Sequence, residues 1–140
     1  MANHKRRITR MKYPVKSSAK EYAIAERQFD LESRTINFAK ACIDMCTQVS
    51  KNAINAQLVG QLARAAGSVG ANYREANDSI TKRDFYYRIG ICRREAKEAK
   101  YWLELLQYSN TGIADRTAPL IDEALQLARI FAAISKKQDR

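Results

Sequence analysis

The sequence predicts an all-α protein built as an up-down-up-down antiparallel four-helix bundle. In four successive segments the apolar residues recur in alternating steps of three and four, which places them on one side of an α-helix. Short connections join the segments, so helices that follow each other in sequence run antiparallel. No segment shows the alternation typical of a strand. The 140 residues are 46% hydrophobic and 29% charged, which is the size and composition of one globular domain.

The first predicted helix begins near Asp30 or Ser33 and continues to about Asn52. It carries two apolar stripes, where a helix of a simple bundle needs one. The second stripe indicates either burial against another subunit or a central position in the same bundle. One stripe consists of Ile36, Ala39, Ile43, Cys46 and Ser50, and its neighbour consists of Phe38, Cys42, Met45 and Val49.

A turn from Asn52 to Gln57 is predicted to lead into the second helix, with Asn55 as its cap and a span from about Ala56 to Ala76. The seam of this helix is Val59, Leu62, Ala66, Val69, Tyr73 and Ala76. A second row is Gly60, Ala63, Gly67 and Gly70. Because glycine inside a helix costs about 1 kcal/mol relative to alanine, this row predicts a close approach by another element. The segment has no preceding strand and no Lys-Ser/Thr after its last glycine, so it does not match a phosphate-binding loop.

The third helix, from Asp84 to Gln107, has the clearest period, and the bundle is organised around it. Thr81 and Asp84 are spaced like a capping pair at its start, and Asn110 to Gly112 is typical of a helix end. Its apolar stripe consists of Phe85, Ile89, Cys92, Ala96, Ala99, Leu103 and Leu106.

The fourth helix is predicted to begin at Ala118 or Pro119 and to run to about Ser135. Its seam is Leu120, Ala124, Leu127, Phe131 and Ile134. With this helix the four seams can enclose a single core.

Residues 1–28 precede the predicted bundle, which spans 29–140, and read as a basic, flexible N-terminal arm. The first 20 residues contain seven lysines and arginines and no acid. They therefore account for seven of the ten charges in the formal net charge of +10. A polyanionic partner such as nucleic acid is one interpretation, and a merely solvated tail is the other. The candidate contacts in the arm are Lys5, Arg6, Arg7 and Arg10.

The inventory of reactive side chains predicts no catalytic residue, no metal site and no cofactor. The one histidine, His4, falls in the arm, and no Glu-x-x-His motif of a di-iron bundle is present. The three cysteines, an odd number without a sign of secretion, lie on apolar stripes and are expected to be reduced core residues. Neither a membrane span nor a signal peptide is recognisable, so a cytoplasmic protein without membrane contact is expected.

The basic residues of the second and third helices are the better candidates for phosphate contacts, against the alternative of a solvated charged face. Asp84 and Lys100 are also spaced to form ion pairs with Arg88 and Glu104. Tyr101 and Trp102 could stack on bases, although an aromatic pair beside a helical seam more often belongs to a core or an interface. The candidates are Arg64, Arg74, Arg88, Arg93, Arg94, Lys97 and Lys100.

Three blocks of the sequence resemble a known family, the four-helix proteins encoded by intervening sequences of bacterial 23S ribosomal RNA. They are FDLESRTINFAKACIDM, QLARAAGSVGANYREAND and TKRDFYYRIGICRREAKEAKYWLELL, and the most specific parts are GSVGANYREA and EAKEAKYWLELL. The resemblance covers roughly residues 29–134, which leaves the arm outside it, and the three cysteines are not part of the family's pattern.

The resemblance implies a four-helix protomer assembled as a ring-like homopentamer, and it implies no catalytic residues. It also implies kinship in fold with the accessory variability proteins of diversity-generating retroelements, which bind nucleic acid and a reverse transcriptase through basic surfaces. We therefore predict a non-enzymatic, oligomeric protein that binds RNA or another nucleic acid. The alternative is a protein-protein adaptor, for example an accessory subunit of a polymerase.

Overall fold

Four long helices make up the computed structural model, which describes residues 19–139, with side chains described from residue 30 onward. They are α1 (Ala19–Cys46), α2 (Ala53–Asp78), α3 (Lys82–Ser109) and α4 (Ala114–Ser135), followed by a 3-10 turn at Lys136–Asp139. Across these residues no strand occurs. Helix α1 packs on α2 and α4, and α3 packs on the same two helices, so α1 and α3 lie diagonally opposite. The predicted all-α four-helix fold is confirmed.

The core consists of stripes that the helical period predicts, with one of the two α1 stripes left outside it. Every residue of the predicted α3 stripe is buried, and in α2 only Val59 of the predicted seam is partly exposed. In the middle of the bundle the Tyr73 ring lies against the Phe131 ring, with their centroids 5.9 Å apart. Large apolar side chains from all four helices therefore meet in one core, which holds the protomer together.

Helix α1 is displaced relative to its prediction, since it starts at Ala19 and ends at Cys46. Eight of the ten residues 19–28 are Ala, Glu, Lys, Arg or Gln, which favour a helix even without the apolar period on which the prediction relied. The helix ends before Asn52 because residues 47–48 turn back, with the Gln48 N–H donating to the Met45 carbonyl at 3.0 Å. The basic residues Lys5, Arg6, Arg7 and Arg10 lie outside the described residues, and the division at residue 28 stays a prediction.

The cap of α2 is Asn52, and the prediction of Asn55 was wrong. The Asn52 Oδ1 accepts a hydrogen bond from the Asn55 backbone N–H at 2.8 Å, so the helix starts at Ala53. The Asn55 side chain is instead buried, where its Nδ2 donates to the Asn110 Oδ1 at 2.7 Å. A residue 55 positions away thus decides the role of Asn55, and local spacing does not reveal it.

The predicted capping residues at both ends of α3 are confirmed, and the helix extends two residues beyond the predicted Asp84–Gln107 at each end. The Thr81 hydroxyl accepts from the Asp84 backbone N–H at 3.1 Å, and Gly112 has a φ of 87° in the connection after Asn110. This left-handed conformation is one that glycine adopts without a steric penalty. The helix therefore begins and ends where its capping residues indicate.

Helix α4 starts at Ala114, earlier than the predicted Ala118 or Pro119, and Pro119 lies inside it. The first turn is held by Thr117, whose backbone N–H donates to the Ile113 carbonyl at 3.0 Å and whose hydroxyl accepts from Gln107 Nε2 at 2.7 Å. Because proline lacks an N–H, its place early in the helix removes one backbone hydrogen bond without ending the helix.

The glycine row of α2 divides into two kinds of position. A Cβ at Gly70 would lie 3.0 Å from the Thr35 Oγ1 of α1, so the predicted close approach is confirmed there. A Cβ at Gly60 or Gly67 would meet nothing within 4 Å. Only Gly70 is therefore needed for packing within the protomer.

Candidate nucleic-acid interface

The seven basic candidates of α2 and α3 do not form one continuous surface. Arg74 faces α1, where its Nε lies 4.0 Å from the Glu32 Oε1. The predicted pair of Asp84 with Arg88 was wrong, because the Arg88 Nη1 donates to the Asn72 Oδ1 at 3.0 Å. Both arginines therefore lie apart from the middle of α3, where the remaining candidates are found.

The surroundings of Arg88 are unfavourable for phosphate. It lines a shallow cleft at the turn between α2 and α3, together with three carboxylates. These are Glu75, Asp78 and Asp84. Their negative charge opposes an incoming phosphate, so we exclude the cleft from the candidate interface.

Arg64 of α2 bridges two carboxylates of α3. Its Nη1 lies 2.9 Å from the Glu95 Oε2, and its Nη2 pairs with the Glu98 Oε1. The Glu95 side chain is charged but only 8% exposed, because it lies next to the apolar stripe. Arg64 thus compensates a nearly buried carboxylate, which would be costly without a partner.

The same bridge changes the acid-base properties of its members. Hydrogen bonds to Glu98 and then to Glu95 raise the pKa of the Arg64 guanidinium. Partial burial would raise the pKa of the Glu98 carboxyl, but hydrogen bonds from the Trp102 Nε1 and from Arg64 outweigh it, so this pKa lies below its ordinary value. Glu98 is therefore ionised at neutral pH, and both of its hydrogen bonds favour that form.

Arg93, Arg94 and Lys97 form an exposed cationic cluster on α3. Within the described part of the chain, no ion pair within 4.0 Å involves Arg93 or Lys97. Arg94 is 71% exposed, and its Nε lies 3.9 Å from a Glu95 carboxylate that Arg64 already binds at shorter distance. Since Arg64 occupies the neighbouring acids at shorter distance, Arg94 keeps one long ion pair, and Arg93 and Lys97 have none among the described residues. We call these three cations the cationic cluster.

Lys100 continues this side of α3 but is partly neutralised. Its Nζ lies 2.6 Å from the Glu104 Oε1, which confirms the predicted pair. An exposed pair of this kind exchanges readily with other partners, because it contributes only a few tenths of a kcal/mol. Lys100 therefore remains at the edge of the cationic cluster.

Three exposed tyrosines of α3 were missed as a group. Tyr87, Tyr101 and Tyr108 have exposed fractions of 61%, 55% and 89%. Of the predicted aromatic pair, Trp102 is half-buried, whereas Tyr101 is exposed and packs edge-on against it at 5.1 Å between ring centroids. The signal that reveals the group is the spacing by multiples of seven, which keeps residues on one side of a helix.

The cysteines lie where the apolar pattern predicts. Cys42 and Cys92 are buried and Cys46 is partly buried, and all three are free thiols. Burial raises the pKa of the Cys42 and Cys92 thiols to about 12 in each case. Both are thus protonated at neutral pH and unsuited to nucleophilic chemistry.

Residues 19–139 contain neither a metal-binding group nor a membrane-spanning helix. No group of three or more His, Cys, Asp or Glu side chains there could hold a metal ion. No helix in the same range is long and apolar enough to span a bilayer.

A second exposed surface lies on α1, which is diagonally across from α3, and on the adjacent side of α2. Of the two α1 stripes, Phe38, Cys42, Met45 and Val49 are buried in the core. In the other stripe Ile36 and Ile43 are 39% and 53% exposed. Glu32 lies beside Arg74 and Thr35 beside Gly70, and this antiparallel register brings the exposed isoleucines to the level of the open part of the glycine row. We call Ile36, Ile43, Gly60, Ala63 and Gly67 the α1/α2 face.

Comparison with known proteins agrees with this architecture. A family model described as 23S rRNA-intervening sequence protein matches residues 27–133. The chain is also similar to a crystal structure of a protein with unknown function from the S23 ribosomal protein family of Bacteroides thetaiotaomicron. The two are 23% identical, with a TM-score of 0.67 over 75% of this chain and 97% of the other, a likeness of fold. The comparison with curated proteins gave no match.

Proposed function

We propose that this chain, which belongs to the 23S rRNA-intervening sequence protein family, is a non-enzymatic RNA-binding protein that assembles into a homopentameric ring. The cationic cluster of α3 supplies the RNA contacts. The α1/α2 face supplies contacts between copies. The isoleucines of the α1/α2 face lie on α1, diagonally opposite α3, so a contact centred on them leaves the cationic cluster open.

The observation that carries RNA binding is the placement of Arg64 between Glu95 and Glu98. Without this bridge, both carboxylates would compete with phosphate for the cations of the same helix. With it, three exposed cations lie within about one and a half turns of α3 and present their charge to solvent. A phosphate backbone is the polyanion that such a cluster binds, through counterion release and without sequence specificity.

Binding of 23S rRNA fragments by full-length protein tests this role. Arg93→Glu, Arg94→Glu and Lys97→Glu together are expected to abolish most of the affinity. The matched control reverses three exposed cations of the C-terminal region, Arg116, Arg129 and Lys137, and so changes the net charge equally. Equal loss in both variants, or no binding by the unmodified protein, contradicts the proposal. Partners that persist after nuclease treatment would instead indicate the adaptor function.

Self-assembly is supported by the isoleucines of the α1/α2 face. Glycine and alanine in the α2 row allow a helix of a second copy to approach closely. That helix would cover the exposed isoleucines, which are apolar side chains that favour burial in an interface. A contact between different faces of successive copies closes into a ring when the rotation allows it. Five copies is the number that the family resemblance implies.

The solution mass of purified protein tests the assembly. Ile36→Glu with Ile43→Glu is expected to yield monomers, because two carboxylates would be desolvated in the contact. Ile80→Glu is the matched control, since Ile80 is 93% exposed in the turn between α2 and α3 and lies outside the α1/α2 face. A monomeric unmodified protein, or a double variant that keeps its mass, contradicts the assembly.

A further inference from the structure

We infer that the RNA bound by α3 is single-stranded, with its bases stacked on Tyr101 and Tyr108 and its phosphates on Arg94 and Lys97; Tyr87 lines the excluded acidic cleft and is left out. This inference rests on the proposed function and adds the form of RNA that the surface takes. It assigns the tyrosines a binding role that charge alone does not give them.

The tyrosines and the cations form one row along the outer side of α3. Positions 87, 94, 101 and 108 are separated by seven residues each, which is about 10.5 Å along the axis with a drift of about 20°. Arg94 therefore lies in line between Tyr87 and Tyr101, and Lys97 is one turn further along. From Arg94 to Tyr108 the row extends over about 21 Å, a length suited to a strand of several nucleotides.

The buried core does not contain these rings, although Tyr101 lies edge-on against Trp102. Tyr87, Tyr101 and Tyr108 are each more than half exposed, whereas Tyr73 of the same chain is 1% exposed in the core. Gly90 lies in the same row, and a Cβ there would meet nothing within 4 Å. More than half of each ring-bearing residue is therefore accessible to a flat ligand that lies along the helix.

The chemistry of the row distinguishes an unpaired strand from a duplex. A base in a duplex has both faces covered by its neighbours, whereas an unpaired base can leave the stack and lie on an aromatic side chain. Cations alone would bind the phosphates of either form. Tyrosines beside the cations therefore add base stacking to the phosphate contacts, and only an unpaired base can stack on them.

Charge also disfavours a second copy of the chain as the occupant. A contact of this row with itself would bring Arg94 and Lys97 of each copy against the same residues of the other, and like charges at an interface are costly. Glu104 is the acid of the row, and Lys100 already compensates it at 2.6 Å. The row is thus complementary to a polyanion with flat apolar groups.

The test compares affinities of full-length protein for an unstructured RNA of about 16 nucleotides and for a fully paired duplex of that length. The unpaired strand is expected to bind more tightly. Tyr101→Ala and Tyr108→Ala are each expected to weaken it by about fivefold or more, and to leave duplex affinity unchanged. Tyr101→Phe and Tyr108→Phe keep the ring and are expected to retain affinity.

The outcomes separate this inference from the proposed function. If reversal of the cationic cluster removes binding while both alanine variants bind like the unmodified protein, the stacking role is wrong and RNA binding stands. Equal affinity for duplex and single strand also overturns the inference. If the unmodified protein binds neither RNA, both fail. Far-ultraviolet circular dichroism of each variant establishes that the helices are intact, as expected for substitutions at exposed positions.

Discussion

The Arg64 Nη1 lies 2.9 Å from the Glu95 Oε2, so an exposed arginine of α2 pairs with an almost buried carboxylate of α3. The pair joins two helices through residues that are 31 positions apart. It also determines which charges of α3 remain available to a ligand. Stability and the proposed function therefore depend on the same contact.

Removing Arg64 is expected to destabilise the fold. Arg64→Met leaves the Glu95 carboxylate without its closest partner, which costs about 1–3 kcal/mol at neutral pH. Glu95→Gln in the same chain is expected to recover part of this loss, because no buried charge then remains. Urea unfolding of the two single variants and the double variant gives the interaction free energy between the two side chains. If their effects on the free energy of unfolding are additive, the two residues do not stabilise each other.

Glu98 is expected to make stability depend on pH in the acid range. Its pKa in the folded chain lies below the ordinary value of 4.5, so its contribution is fully present above that value. The contribution is lost as the pH falls through the lower, folded pKa, because protonation ends the favourable hydrogen bonds from Trp102 and Arg64.

The measurement is the free energy of unfolding between neutral and acid pH. Glu98→Gln is expected to flatten the acid part of the profile. Glu104→Gln is the control, since Glu104 lies on the same helix but is more exposed, at 49% against 32% for Glu98. If the two variants change the profile equally, the assignment to Glu98 is wrong.

Asn55 and Asn110 are expected to stabilise the end of the bundle as a unit. The Asn55 Nδ2 donates to the Asn110 Oδ1 at 2.7 Å, and the Asn110 Nδ2 donates back to the Asn55 Oδ1 at 3.0 Å. Either residue changed to alanine removes both bonds of this reciprocal pair, at a cost of about 1–3 kcal/mol. The remaining amide keeps its other bonds, to the Leu106 carbonyl for Asn110 and to Ser50 and Ser109 for Asn55. The double variant is expected to cost less than the sum of the two, whereas Asn37→Ala at an exposed position changes stability by about 0.5 kcal/mol or less. Thermal unfolding of the four variants checks this.

The same two asparagines show what sequence can and cannot predict. The stripe from Phe85 to Leu106 follows from the helical period, because an apolar face must be buried whatever its partner is. The burial of Asn55 and Glu95 depends on Asn110 and Arg64, which lie far away in sequence, so no local pattern indicates it. The end of a helix can be predicted where a capping residue marks it, as Thr81 does. The prediction fails where tertiary contacts determine the end.

The candidate site was predictable to a similar extent. Arg93, Arg94 and Lys97 could be chosen as cations on the flank of a helix from spacing alone. That Arg64 would be occupied by acids, and that Arg74 would face α1, required the packing of α2. The spacing of the exposed tyrosines by multiples of seven was visible in the sequence. An aromatic residue near an apolar seam is nevertheless predicted to be buried until its exposure is known.

Gly70 and Gly90 are expected to respond in opposite ways to alanine. A Cβ at Gly70 would lie 3.0 Å from the Thr35 Oγ1, and that hydroxyl is fixed by donating to the Leu31 carbonyl at 2.7 Å. Gly70→Ala is therefore expected to destabilise the fold by about 1–3 kcal/mol through overpacking. Gly90→Ala meets nothing within 4 Å and is expected to stabilise by about 0.5–1 kcal/mol. The denaturant midpoints of unfolding of the two variants test this. A higher midpoint for Gly70→Ala would show that α1 can move away from α2.

The salt dependence of RNA affinity tests the central claim most directly. The unmodified protein and a variant with Arg93→Gln, Arg94→Gln and Lys97→Gln are titrated with the same single-stranded RNA over a salt series. Each phosphate contact contributes about 0.7 to the slope of log affinity against log salt, so loss of three contacts predicts a slope that is shallower by about 2. Parallel slopes, or an affinity that does not change with salt, would contradict RNA binding by the cationic cluster.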